Sequence, residues 1–177
     1  GRDLGTYTTN SAGRIVLTDI DAGRYVVQEI EPADGYELDA TPHEVMLQWG
    51  KTTQIRINNE ELGSLLLVKV SAEDEMQVLP GATFLLYDAK DNLFGEYTTN
   101  ENGEIFLDHQ LKAGMYKLKE IRSPEGFVLD SQVREVKIEG GATVHLSWLN
   151  TPERGQIQII KQSAEYNDTT KLPEGSP

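Results

Sequence analysis

The sequence predicts an all-β protein made of tandem β-sandwich domains, with seven strands in the one complete unit. Short alternating apolar and polar segments are set apart by turn signals, which is the pattern of half-buried strands. No stretch sustains a helical period. The chain also repeats itself at about ninety residues, a spacing that means whole domains in tandem and not a solenoid.

The repeat sets the boundaries. AGRYVVQEIEPADGY, Ala22 to Tyr36, returns as AGMYKLKEIRSPEGF, Ala113 to Phe127. Tyr7-Thr8-Thr9-Asn10 matches Tyr97-Thr98-Thr99-Asn100, Leu38-Asp39 matches Leu129-Asp130, and GSLLLVK from Gly63 matches GQIQIIK from Gly155. Residues 63–152 therefore form a complete unit, 1–62 the C-terminal part of another, and 153–177 a linker and the opening of a third. Both ends fall inside a repeat, so the lack of a signal peptide says little about export.

Each strand of the complete unit follows from its own punctuation. The first, 64–70, is the apolar run closing on Lys69, and 82–88 follows Pro80-Gly81. Asp91-Asn92 turns the chain into 93–98, and Asn102-Gly103 into 103–107. Ala113-Gly114 opens 114–121, Pro124-Glu125-Gly126 precedes 128–137, and Gly140-Gly141 precedes 142–149. Seven short strands at this spacing suit a β-sandwich.

Composition narrows the function classes. With 38% hydrophobic and 25% charged residues, the 177-residue chain is globular in character, and each unit can bury a modest core. A net charge of −13 and a pI near 4.6 argue against nucleic-acid or anionic-membrane ligands, which need clustered Lys and Arg. No apolar run is long enough to span a bilayer, so no membrane insertion is expected. With no cysteine there are no disulfides and no thiolate metal sites. His43, His109 and His145 lie in separate segments without ligand spacing. Asp88, Asp91 and Asn92 lack a full oxygen-ligand loop, so a solvated turn is expected there and no cofactor or metal anywhere.

Strand parity isolates three polar residues on apolar faces, because residues two apart share a face. Tyr116, Leu118 and Glu120 share one face, opposite Lys117 and Lys119. Val144, Leu146, Trp148 and Asn150 share another. Lys69 shares the face of Leu65 and Leu67, although Leu66, Val68 and Val70 on the other face are equally apolar. In the incomplete units the equivalents are Glu29, Asn59 and Lys161. Ile55, Ile57 and Asn59 share a face, and only Asn59 keeps the thirty-residue spacing from its glutamate, with Asn58 as the alternative.

Charges buried in such a core cost several kcal/mol unless paired or neutralised, so burial favours their neutral forms. A neutral lysine amine is a nucleophile. A protonated glutamate can polarise an amide oxygen and carry protons between amine and leaving group. Lys69, Glu120 and Asn150 could thus form a Lys Nζ to Asn Cγ amide with loss of ammonia, the fold supplying proximity. The simpler alternatives are a lysine snorkelling to water, a buried Lys69–Glu120 ion pair, and an asparagine serving the turn before Pro152.

The ordered motifs GSLLLVK, LPGATFLLYD at Leu79 to Asp88, YTTNENGEI at Tyr97 to Ile105, GMYKLKEIRSPEGF at Gly114 to Phe127, and WLNTP at Trp148 to Pro152 resemble the Cna B-type (SpaA-like) domains of Gram-positive surface adhesins and pilins. The resemblance covers nearly the whole chain. It implies an Ig-like, prealbumin-like sandwich, a place on the bacterial cell surface or cell wall, and a spontaneous isopeptide bond. Carried over residue by residue, the bond joins Lys69 to Asn150 with Glu120 as its proton shuttle. Glu29 and Asn59 lack a lysine strand in their own unit, and Lys161 lacks the partner strands. The terminal LPEGSP has Gly175 at its fourth position after Leu172 to Glu174, and by alignment is the loop before a second strand, not a sorting signal.

Two functions compete at this point. The first is a structural stalk or pilus-type repeat whose partners are the neighbouring domains of its own polypeptide. The second is a binding module for host extracellular matrix or carbohydrate, which an exposed aromatic row would favour. At 7% aromatics, several at core parity, the sequence leans to the stalk. A turnover enzyme would need convergent groups in a cleft, and the only self-reacting set is consumed once.

Overall fold

The computed structural model describes residues 3–160 and is all β. Two strands, β1 (Gly23–Val27) and β2 (His43–Leu47), belong to the first unit. Seven belong to the second: β3 (Gly63–Ser71), β4 (Thr83–Asp88), β5 (Leu93–Thr98), β6 (Glu104–Leu111), β7 (Gly114–Arg122), β8 (Val133–Ile138) and β9 (Thr143–Asn150).

The seven strands make two sheets, ordered β6-β3-β9 and β5-β4-β7-β8. All neighbours are antiparallel except β3 and β9, the first and last strands, which run parallel from Ser64 opposite Thr143 to Ser71 opposite Asn150. The core between the sheets contains Leu65, Leu67, Phe84, Leu86, Leu107, Leu118, Ile138 and Trp148. Phe84 and Trp148 meet edge to face with ring centroids 5.0 Å apart. Burial alternates along β7, where Tyr116, Leu118 and Glu120 point inward, and Lys69 shares the inward face of Leu65 and Leu67 on β3.

Two sequence expectations need correction. The segment 128–137 is strand only from Val133, because Phe127 bridges to Pro152 and Val128 donates to the Thr151 carbonyl. Those bonds tie 127–128 to the exit linker instead of to β7. In the first unit the alternating stretch through Ile55, Ile57 and Asn59 is not a strand, nor are the counterparts of β5 and β6. The ladder explains which pairs survive. In the complete unit β6 and β9 take their hydrogen bonds from β3, and β5 takes its own from β4. Among the described residues the first unit has no counterpart of β3 or β4. Only the counterparts of β7 and β8 can still pair with each other, and these are β1 and β2. Apolar side chains of this unit lie open, Trp49 at 79% exposure, and Val45 is its one buried apolar residue among those described.

The linker between the units is held by backbone bonds. Leu62 N–H donates to the Gly35 carbonyl at 2.7 Å, and Glu37 N–H to the Glu60 carbonyl at 2.8 Å. The complete unit repeats the clasp at its own exit, with Glu153 N–H on the Gly126 carbonyl at 2.8 Å and Val128 N–H on the Thr151 carbonyl at 2.9 Å. The Pro-containing loop that ends in Gly-aromatic, Pro32 to Tyr36 and Pro124 to Phe127, is thus a clamp on the chain leaving each unit.

Gly103 ties a turn to the strand that carries the inward lysine. Its φ is +72°, and a Cβ there would sit 2.8 Å from the Lys69 carbonyl oxygen and 2.9 Å from the Leu79 nitrogen, while its own carbonyl accepts Lys69 N–H at 2.7 Å. Gly126 has a similar φ of +79° but open space around it. Gly103→Ala is therefore expected to lose about 2–4 kcal/mol, against about 1 kcal/mol for Gly126→Ala, read as midpoint shifts in guanidinium unfolding.

Candidate functional site: a buried lysine, glutamate and asparagine

Three strands from both sheets converge on one buried locus. Lys69 lies near the end of β3, Asn150 ends β9 beside it, and Glu120 reaches across from β7 in the opposite sheet. Their exposures are 0%, 2% and 1%. The parallel ladder sets Lys69 opposite Trp148, so the lysine side chain, pointing into the sandwich, meets the last turn of the β9 backbone and the Asn150 amide just beyond it.

The contacts are close and directional. Lys69 Nζ donates to Asn150 Oδ1 and, at 3.2 Å, to the Trp148 carbonyl. Asn150 Nδ2 donates to Glu120 Oε1 at 2.9 Å, and that same oxygen lies 3.8 Å from Lys69 Nζ. The other glutamate oxygen, Oε2, accepts the Asp130 backbone N–H at 2.9 Å. One point departs from the sequence expectation: the glutamate faces the amide nitrogen, and the amide oxygen is met by the lysine. Glu120 is placed between the amine and the nitrogen that would leave, not at the oxygen that would be polarised.

The electrostatics follow from burial. Desolvation, only partly opposed by the charges of Glu120 and Asp130, lowers the Lys69 pKa to about 8. Desolvation likewise raises the Glu120 carboxyl above its ordinary value, against the stabilising Asp130 N–H and Lys69. Both shifts favour a neutral amine facing a neutral acid. Trp148 closes the site, fully buried, with its indole Nε1 lacking a hydrogen-bond partner and the Arg134 guanidinium 4.0 Å over its ring.

The first unit keeps two of the three members. Asn59 Nδ2 donates to Glu29 Oε2 at 2.6 Å, and Asp39 N–H donates to that same oxygen at 2.9 Å. Asn59, not its neighbour Asn58, thus meets the glutamate as Asn150 meets Glu120. Glu29 and Asn59 are half-buried, with no lysine beside them among the described residues. Lys161 lies outside the described residues. Of the other polar candidates, Asp88 accepts Lys90 N–H and Asn92 N–H within its own turn, and Asp91 pairs with Lys117. Sequence reasoning missed Asp130 and Arg134. The same parity rule could have found Arg134, which shares the inward face of Val136 and Ile138 on β8, but Asp130 acts through a backbone N–H that no side-chain pattern reveals.

Fold and site together define a β-sandwich repeat with a self-contained lysine, glutamate and asparagine set in its core. The family model of the SpaA prealbumin-like fold domain matches residues 1–61 and 63–152, and the chain belongs to that family. It is 38% identical over 58 residues to the trypsin-resistant surface T6 protein of Streptococcus pyogenes serotype M6, a match covering 33% of this chain and 11% of that protein. Among solved structures it is similar to the TIE protein of Bacillus anthracis, with a TM-score of 0.53 and 26% identity over 81% of this chain and 28% of that one. The T6 backbone pilin of serotype M6 Streptococcus pyogenes matches at a TM-score of 0.42 and 30% identity, over 45% of this chain and 16% of that one. The chain spans about a tenth of the curated relative's length.

The lysine shift gives a measurable sign. Between the folded value of about 8 and the ordinary 10.5, the unfolded chain binds more protons, so stability rises with pH across that window. An Asn150→Ala chain, which cannot close an amide, is expected to show this rise in urea unfolding, and a Lys69→Met, Asn150→Ala chain to lack it.

Proposed function

We propose that this chain is a stretch of stalk-forming repeats from a pilus-type protein of a Gram-positive cell surface, its complete repeat sealed by an isopeptide bond between Lys69 Nζ and Asn150 Cγ. The observation that carries the bond is a single carboxylate oxygen, Glu120 Oε1, standing 2.9 Å from Asn150 Nδ2 and 3.8 Å from Lys69 Nζ in the buried core.

The chemistry needs nothing from outside. The neutral Lys69 amine attacks Asn150 Cγ, and the new C–N bond forms as the amide oxygen takes up charge. The protonated Glu120 carboxyl delivers its proton to the departing Nδ2 and, as the carboxylate, takes one from the attacking nitrogen. The Cγ–Nδ2 bond breaks, ammonia leaves, and the carboxyl group returns to its starting state. The set turns over once and is no enzyme in the ordinary sense.

Topology supplies the mechanical purpose. Tension entering at Gly63 runs along β3 to Lys69, crosses to Asn150 and leaves through Pro152, bypassing the residues in between. The segment so closed is 81 residues long, for which chain entropy alone contributes roughly 4–5 kcal/mol. A protein without cysteine thereby gains a covalent brace comparable to the whole stability of a small domain. Family membership and the sequence match to a protein named for its surface location support the placement outside the cell. The repeat architecture supports neighbouring domains, with a third opening in 153–177, as the partners.

Intact mass tests the bond. The folded chain is expected about 17 Da lighter than its sequence, with the full mass restored in Lys69→Ala, Asn150→Ala and Glu120→Ala chains. A full mass in the folded wild-type chain overturns the cross-link. The Lys69→Ala chain is expected to unfold with a stability loss of about 4 kcal/mol or more, read by guanidinium titration.

A further inference from the structure

The β8 arginine lies outside the reacting set, yet two lines of contact lead from it to that set. Arg134 sits on the inward face of β8 with Val136 and Ile138, at the end of the strand nearest the site. Its guanidinium stacks 4.0 Å over the Trp148 ring, Nη2 donates to Asp130 Oδ2 at 2.9 Å, and Nη1 donates to the Ser147 carbonyl at 3.4 Å. Trp148 is the residue whose carbonyl accepts Lys69 Nζ, and Asp130 is the residue whose N–H holds Glu120 Oε2. One planar fork thus fixes the residues behind the amine and behind the acid.

We propose that Arg134 is a positioning residue for the Lys69–Asn150 bond, bracing through Trp148 and Asp130 the two backbone groups that hold the amine and the glutamate. The inference rests on the cross-link reading. Arginine suits the task because its guanidinium is planar and charged at every working pH, so it can stack on the indole and bond a carboxylate together. An ammonium offers no such fork.

The charge acts as well as the shape. The groups acting on Lys69 are Glu120 on β7 and Asp130 in the loop after it, which favour the ammonium, and Arg134 on β8, which opposes it. Arg134 therefore offsets the Asp130 charge that its own fork recruits. The first unit offers an internal comparison. Asp39 takes the place of Asp130 and its N–H holds Glu29, but His43 stands where Arg134 does, with Nε2 3.5 Å from Asp39 Oδ2. Ile57 there replaces the tryptophan. The acid and its basic partner are kept four residues apart in both units, whereas the guanidinium stacked on a tryptophan belongs to the complete unit.

Rates of bond formation decide the matter. Chains recovered from inclusion bodies in urea, and shown to carry their full sequence mass, are diluted into buffers from about pH 6 to about pH 9, and intact mass against time gives the rate of ammonia loss at each pH. Arg134→Gln is expected to react about tenfold to a hundredfold more slowly near pH 7, with the acid limb of its profile moved to higher pH. Arg134→Lys recovers part of the rate, and Asp130→Asn moves the acid limb to lower pH. Near-UV circular dichroism reports whether each variant packs Trp148. Should Arg134→Gln fail to fold, Arg134→Lys and Asp130→Asn decide by the same readouts. Wild-type rates and profiles in the folded variants overturn the role of Arg134, as do limb shifts of one sign for Arg134→Gln and Asp130→Asn. A wild-type chain that never loses mass overturns the cross-link itself.

Discussion

The parallel pairing of β3 with β9 is the constraint on which the remaining structure depends. β3 is the central strand of its sheet, hydrogen-bonded to β6 on one side and β9 on the other. Parallel strands cannot be joined by a tight turn, so the chain must build the rest of the sandwich between them. That detour brings Lys69 and Asn150 together from 81 residues apart and fills the space above them with the opposite sheet. The first unit shows the converse. Without counterparts of β3 and β4 among the described residues, three of its segments have no ladder, and its glutamate and asparagine touch each other without an amine.

Burial at this locus is a chemical device as much as a packing one. A lysine ammonium and a carboxylate in an apolar core are costly as ions, and a buried ion pair is weak evidence for stability. Here the cost pushes both groups toward their neutral forms, which are the forms that an amide-forming reaction uses. The Asp130 N–H and the Trp148 carbonyl fix the orientation of acid and amine without adding full charges. Trp148 and Phe84 keep the site dry by filling the space between the sheets.

Much of this was legible from residue patterns. The period, the turn signals and the positions of the strands along the chain required only local chemistry, since Gly, Pro and Asn-Gly punctuation acts over a few residues. Parity pointed to Lys69, Glu120 and Asn150 because a charged side chain on an apolar face conflicts with the cost of burying it. The same rule, pressed further along β8, would have reached Arg134. What parity misjudged were the stretches 128–132 and 55–59, whose alternation is strand-like but whose hydrogen bonds go to a linker or find no neighbouring strand among the described residues.

By itself, then, the sequence determined the fold class, the repeat and the identities of the three polar core residues, because these rest on local propensity and on the two-residue period of a strand. Only the tertiary structure decided which glutamate oxygen faces which nitrogen, that Asp130 contributes its backbone and not its carboxylate to Glu120, and that Arg134 stands behind both. Those are contacts between strands of opposite sheets and loops far apart in the chain, and their geometry is set by how the two sheets close on Trp148.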